Sequence, residues 1–131
     1  MSSFSYTIAI DAMGGENSPD KVIEGLSLFL KEDKEIFFNI FGKETSIVEE
    51  ISKYKNILPK NYKIINCESQ IEDKNSVRDA IKVGKDSSMW KAIESVKNKE
   101  SHLIISSGNT GALLVISKLL IKMKLLLRPL I

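Results

Sequence analysis

Cysteine, histidine, tryptophan and arginine are all scarce in this sequence, and each scarcity closes off a class of chemistry. The single Cys67 has no partner for an internal disulfide and fits a reducing compartment. One Cys and one His far apart supply no metal-ligand spacing, so no metal site is expected. The 19 basic residues include just two arginines, Arg78 and Arg128, and stand among 17 acidic ones. A net charge of +2, without an aromatic–arginine platform, argues against a nucleic-acid partner. No Ser–His–Asp or Cys–His set can be assembled, and His102, at the start of an apolar run, reads as a structural residue. A charged leader region is also missing, because a strand pattern begins almost at once; the expectation is a cytoplasmic protein. Long uncharged runs are lacking too. From Ala112 to Ile131 apolar residues dominate, but Lys118, Lys122, Lys124 and Arg128 interrupt them. A spanning helix needs about 20 largely uncharged residues. The segment therefore reads as a core helix with solvated lysines, or as a basic amphipathic helix lying on anionic lipid.

What is present is an ordinary globular composition: 131 residues, 43% apolar and 27% charged, enough for one domain spanning residues 1–131. Strand and helix signals alternate with short connections. Tyr6 to Asp11, Ile36 to Phe41, Tyr62 to Asn66 and Leu103 to Ser106 read as strands. Val22, Ile23, Leu26, Phe29 and Leu30 recur at helical spacing after Pro19, with Ser18 as the expected cap. Further helices are expected over Thr45 to Tyr54, Asn75 to Val83, from a Ser87 or Ser88 cap through Val96, and over Thr110 to Lys124. Pro129 falls in a last apolar segment that would begin another strand. Such alternation predicts an α/β domain with a parallel sheet covered on both faces.

Two glycine turns follow strands. The first is Asp11-Ala-Met-Gly14-Gly15, and the second is Ser107-Gly108-Asn109-Thr110-Gly111 leading into a helix. Glycine lets a backbone turn sharply and approach a ligand without a Cβ in the way. Asn109 or Thr110 can cap the following helix, whose free N–H groups and positive dipole end suit an anion. Asp11 could bind a metal, orient a hydroxyl or cap a neighbouring backbone. The spacing matches neither a dinucleotide fingerprint nor a P-loop. Because ligands of parallel sheets bind beyond the carboxyl ends of the strands, both turns are expected on one edge.

The run Ile8 to Gly15 with Pro19, the stretch Val77-Arg78 through Lys85-Asp-Ser-Ser-Met89, and Ser107 through Leu113 together resemble the PlsX family of phosphate acyltransferases. The resemblance spans essentially the whole chain and the opening part of a typical member. It implies a three-layer α/β/α sandwich with a mainly parallel, doubly wound sheet, similar to isopropylmalate dehydrogenases and phosphotransacetylases. It also implies transfer of an acyl group from acyl carrier protein to inorganic phosphate, in phospholipid synthesis and without a cofactor. Homodimers and peripheral membrane contact are further implications. Residue by residue, Asp11, Gly14 and Gly15 match the family's first glycine turn. Arg78, Lys85, Ser87 and Ser88 match its basic–serine element, and Ser107, Gly108, Asn109, Thr110 and Gly111 its Ser-Gly-Asn-Thr-Gly loop. Cations and backbone N–H groups of this kind would hold a phosphate dianion and meet charge developing on a thioester carbonyl. The catalytic set itself is expected to lie partly in the family's second half. This chain reaches Arg128-Pro129-Leu130-Ile131 through Lys124-Leu-Leu-Leu127, where the family usually has a glycine. The expectation is an incomplete or split product with little activity of its own. A non-catalytic remnant and a generic phosphate-binding module are the alternatives. Leu113, Leu114, Leu119, Leu120, Leu125, Leu126 and Leu127 would be the residues short of partners.

Overall fold

A computed structural model describes residues 4–121. Four strands, β1 (Tyr6–Asp11), β2 (Ile36–Gly42), β3 (Tyr62–Asn66) and β4 (Leu103–Ser106), form one sheet in the order β3-β2-β1-β4. Every pairing is parallel, with Asp11 opposite Phe41 on one side and Ser106 on the other. The helices are α1 (Asp20–Glu32), α2 (Glu44–Ile51), α3 (Val77–Val83), α4 (Ser88–Lys97) and α5 (Thr110–Ile121). Short 3-10 turns occupy Pro59–Asn61 and Gly84–Asp86.

The period of two along β1 assigns its side chains to two cores. Ile8 and Ile10 pack with Phe38 and Ile40 against Ile23, Leu26 and Leu30 of α1 and Ile47 and Ile51 of α2. Ala9 and Phe41 face the other way, onto Ala92 of α4 and Cys67. A third cluster joins Ala80, Met89, Trp90, Ile93, Ala112 and Ile116, binding α3, α4 and α5 into the second helical layer. Burying each large aliphatic side chain is worth roughly 1.5–3 kcal/mol, which is why β1 and β2 read as almost continuous apolar runs. The sheet is thus the centre of an α/β/α sandwich, as the alternation of elements requires.

The order of strands reverses beside β1. The chain steps from β1 to β2 to β3 in one direction, then crosses back over β1 to reach β4. Right-handed crossovers put the helices of the two directions on opposite faces, so the chain leaves the paired carboxyl ends of β1 and β4 toward opposite sides of the sheet. Those ends are where the glycine turns emerge.

Strand limits agree with the sequence reading to within one residue, whereas two helix starts do not. Ser18 is not the cap of α1: Pro19 occupies the cap position without a side-chain bond, and the Ser18 hydroxyl instead donates to the Gly14 carbonyl. The hydroxyl closes the glycine turn and is unavailable to the helix. α3 begins at Val77 rather than Asn75, because the Asn75 side chain accepts from the Glu72 N–H and Ser76 provides the cap, its hydroxyl accepting from the Asp79 N–H. The α5 segment is a core helix as far as Ile121, with Ala112, Ile116 and Ser117 buried and Lys118 exposed. Leu113 and Leu120 pack partly against the third cluster, while Leu114 and Leu119 are exposed. Lys122, Lys124, Leu125, Leu126, Leu127, Arg128 and the strand expected at Pro129 lie outside the described residues. No helix among the described residues is long and apolar enough to cross a membrane.

Candidate functional site

The two turns touch. A Cβ built on Gly14 would stand 2.8 Å from the Gly108 backbone nitrogen, and one on Gly108 would stand 3.2 Å from the Gly14 Cα. Glycine is needed at both places because the backbones themselves are in contact. Gly15 has φ +87° and lies against Ser107, so its turn requires the left-handed region that glycine adopts freely. The turns therefore share one edge of the sheet, at the reversal point.

Asp11 holds this junction from beneath. It is 2% exposed. Its Oδ1 accepts from the Ser88 hydroxyl at 2.6 Å and from the Met13 N–H at 3.2 Å, and its Oδ2 accepts from the Ser106 hydroxyl at 2.9 Å. Ser106 Oγ in turn accepts from the Gly108 N–H at 3.1 Å. One carboxylate thus links the first turn, the start of α4 and the second turn. Of the roles open to Asp11 from sequence, its contacts perform two: it orients the Ser88 and Ser106 hydroxyls and caps the Met13 backbone N–H. Ser87 is equally internal: its hydroxyl accepts from the Trp90 N–H and caps α4.

Asn109, not Thr110, caps α5. Its Oδ1 accepts from the Ala112 N–H at 3.1 Å, while its Nδ2 donates to the carbonyls of Asn75 at 2.6 Å and Glu72 at 3.3 Å. The side chain consequently fastens the segment before α3 to the start of α5. Gly111 allows the same approach, since a Cβ there would meet Val77 Cγ2 at 2.9 Å. Among the described residues no hydrogen bond takes up the N–H groups of Thr110 and Gly111, in the first turn of α5. Those donors and the dipole end open toward solvent, which is the chemistry of an anion site.

Two clefts flank this junction. One, of about 410 Å³, is lined by Gly14, Gly15, Glu16, Ser18, Lys21, Val22, Asp73 and Ser107. The other runs over Ser107 through Gly111 and also reaches Asp73. Lys21, on the first turn of α1, is the cation that lines the first cleft. Nothing in the sequence pattern marked Lys21, Asp73 or Ser106; they become neighbours of the turns only when the sheet is assembled. Arg78 and Lys85 are exposed, on α3 and the 3-10 turn after it, and line neither cleft. Ser107, Gly108, Asn109, Thr110, Gly111, Gly14 and Gly15 are thus brought together, Asp11 and Ser88 support them from inside, Ser87 caps α4, and Arg78 and Lys85 line neither cleft, although Val77 next to Arg78 approaches Gly111.

His102 has a structural place. Its Nδ1 accepts from the Thr7 N–H at 2.9 Å, its own N–H donates to the Thr7 carbonyl, and its ring meets Tyr6 edge-on. No cluster of three metal-ligating side chains occurs among the described residues. Burial in apolar surroundings pushes the Cys67 thiol up to about 11, so it stays protonated and a poor nucleophile at neutral pH.

Comparison with known proteins points in the same direction as the motifs. The family described as fatty acid synthesis protein matches residues 6–130. The chain is 48% identical over 117 residues to the phosphate acyltransferase of Pelagibacter ubique (strain HTCC1062), covering 88% of this chain and 34% of that protein. It is 43% identical over 115 residues to the phosphate acyltransferase of Ehrlichia canis (strain Jake), covering 85% and 34%. For the phosphate acyltransferase of Enterococcus faecalis (strain ATCC 700802 / V583) the identity is 41% over 107 residues, covering 82% and 31%. The chain spans about a third of the length of the curated relatives it matches.

Proposed function

Because this chain belongs to the fatty acid synthesis protein family, we propose that it supplies the phosphate-binding part of a phosphate acyltransferase, which moves an acyl group from acyl carrier protein to inorganic phosphate. The observation that carries this reading is the contact of the two glycine turns at the reversal point of the sheet, with unpaired N–H groups beside them. Phosphate would be cradled by the Thr110 and Gly111 N–H groups and the ammonium of Lys21. A phosphate oxygen then attacks the thioester carbonyl carbon. The C–O bond forms as the C–S bond breaks, and the thiolate leaves to take up a proton. Phosphate brings its own nucleophilic oxygen, so no side-chain nucleophile and no cofactor is needed. N–H groups near the turns would also meet the charge growing on the carbonyl oxygen.

In this reading Asp11, Ser87 and Ser88 position the site and do not touch the anion. Arg78 and Lys85, both exposed and lining neither cleft, contribute solvent-screened charge. Homodimers and contact with a membrane surface belong to the same proposal, and the exposed Leu114 and Leu119 on α5 are among the described apolar residues open to either. The test is binding of inorganic phosphate by calorimetry, together with acyl phosphate formation from acyl carrier protein thioester. Phosphate binding that is lost in folded Gly108→Val supports the cradle. Undiminished binding in that protein would mean the loop is only a turn.

A further inference from the structure

A second opening leads away from the turns across the α1 face of the sheet. It is a groove of about 300 Å³ between α1 and the outer strand β4. Ile8, Ile10, Leu26, Phe29, Phe38 and Ile105 supply its walls, and its volume is in the range of ligand clefts. α1 runs back antiparallel to β1, so the groove has two unlike ends. At the turn end stand Lys21 and Ser107, both of which also line the polar cleft beside Gly14 and Gly15. At the other end the exposed Phe29 meets Phe38 edge-on, with ring centroids 5.8 Å apart. From Lys21 to Phe29 the helix rises about 12 Å.

Two residues in this groove have no explanation within the folded chain. Ile105 is 51% exposed although it points to the same face as the buried Ile10 beside it. Gly25 interrupts the middle of α1, where glycine is disfavoured by about 1 kcal/mol relative to alanine. Yet a Cβ on Gly25 would meet nothing within 4 Å. No turn, no positive φ and no packing partner calls for that glycine. Its effect is to keep the wall of an apolar groove open.

We propose that the groove between α1 and β4 seats the acyl chain of the substrate, running from the phosphate cradle at Lys21 and Ser107 toward Phe29 and Phe38, with Gly25 making room for it. The inference rests on the phosphate acyltransferase reading above. The acyl chain is favoured as occupant because the groove is continuous with the cradle and pairs one polar end, where Lys21 and Ser107 stand with the Asp11 carboxylate that is already held by its own hydrogen bonds, with one apolar end. That is the polarity of an acyl phosphate.

The experiment uses the full 131-residue chain and stable mimics of an acyl phosphate: butyl, hexyl and octyl phosphate, with inorganic phosphate as reference. Calorimetry at fixed ionic strength should show affinity rising with each methylene, up to about fourfold per group. In Gly25→Leu the new side chain grows into open space in mid-helix, so circular dichroism should show a folded protein. Octyl phosphate should then bind no more tightly than butyl phosphate. Ile105→Ser, on the exposed strand face, should lower the same chain-length dependence by a second route. Equal affinity for all three alkyl phosphates, or a chain-length dependence untouched by both variants, would overturn the assignment. So would a dimer in sedimentation that Gly25→Leu or Ile105→Ser returns to monomer, because a second copy would then own the groove. If inorganic phosphate fails to bind while the chain-length dependence persists and responds to Gly25→Leu, the cradle is refuted and the groove assignment stands.

Discussion

Asp11 accepts three hydrogen bonds in a space almost closed to water, and that fixes what its replacement should do. Asp11→Ala leaves the Ser88 and Ser106 hydroxyls and the Met13 N–H short of an acceptor, each costing about 1–3 kcal/mol when buried. We expect a net loss of about 3 kcal/mol in urea unfolding. Asp11→Asn should lose less than half of that, since an amide keeps one acceptor and a serine hydroxyl can rotate to accept from its NH₂. Equal losses would mean that the charge matters more than the geometry. Cys67 offers a pH-dependent counterpart. Its folded-state value is raised to about 11 by burial, so the folded chain holds the proton more tightly than the unfolded chain does. The resulting stabilisation is fully present below the ordinary thiol value of about 9 and is lost as pH rises through about 11. The stability gap between the native chain and Cys67→Ala should therefore narrow from pH 8 to pH 11 in thermal melts. A constant gap would place the cause in packing alone.

Among the elements, α5 and α4 show how a cap can do more than end a helix. Ser87→Ala removes a cap bond at the start of α4 and should cost about 1 kcal/mol, with the loss confined to stability. Asn109→Ala removes the equivalent bond of α5 and also both bonds to the Glu72 and Asn75 carbonyls. A loss nearer 2 kcal/mol is expected, about twice that of an ordinary cap. Hydrogen exchange separates the two cases. Amides around 72–76 should lose protection in Asn109→Ala and not in Ser87→Ala, and no such difference would mean that Asn109 is merely a cap.

At the scale of the molecule, the junction depends on two turns far apart in sequence that meet across β1 and β4. Added bulk on either side presses on the same contact. Gly14→Ala meets the Asp11 carboxylate and the Gly108 backbone at 2.8 Å, and Gly108→Ala meets Met89 Cε at 3.0 Å and the Gly14 Cα at 3.2 Å. Each should destabilise by about 1–3 kcal/mol through overpacking. Their effects should not add. A double-mutant cycle by denaturant unfolding should give a coupling of about 0.5–3 kcal/mol, as for residues in direct contact. Additivity would show that the turns can relax independently.

The existence of the elements was legible in the order of residues, for reasons local to the chain. Largely apolar, β-branched or aromatic stretches mark β1, β2 and β4, the shorter Tyr62-Lys-Ile-Ile-Asn66 marks β3, and the Gly108 to Gly111 turn carries its own cap in Asn109. Parallel pairing follows from the alternation of strands with helices, broken once where α3 and α4 follow β3 together, and β1 and β2 are covered on both faces whereas Leu103 and Ile105 of β4 are exposed. The placement of the site did not follow from any of this. Asp11 could have been a ligand, a cap or a pin, and its three partners come from segments that approach it only across the sheet. Arg78 is exposed on α3 and lines neither cleft, while Lys21, unremarkable in a helical pattern, is set beside the turns by the direction of α1. Ser18 looked like a cap until the carbonyl of Gly14 came within its reach. Conformation at a turn is decided by neighbours in sequence, through Cβ sterics and hydrogen bonds a few residues apart. Which side chains share a cleft is decided by strand order, because the reversal at β1 brings together carboxyl ends that no local pattern encodes.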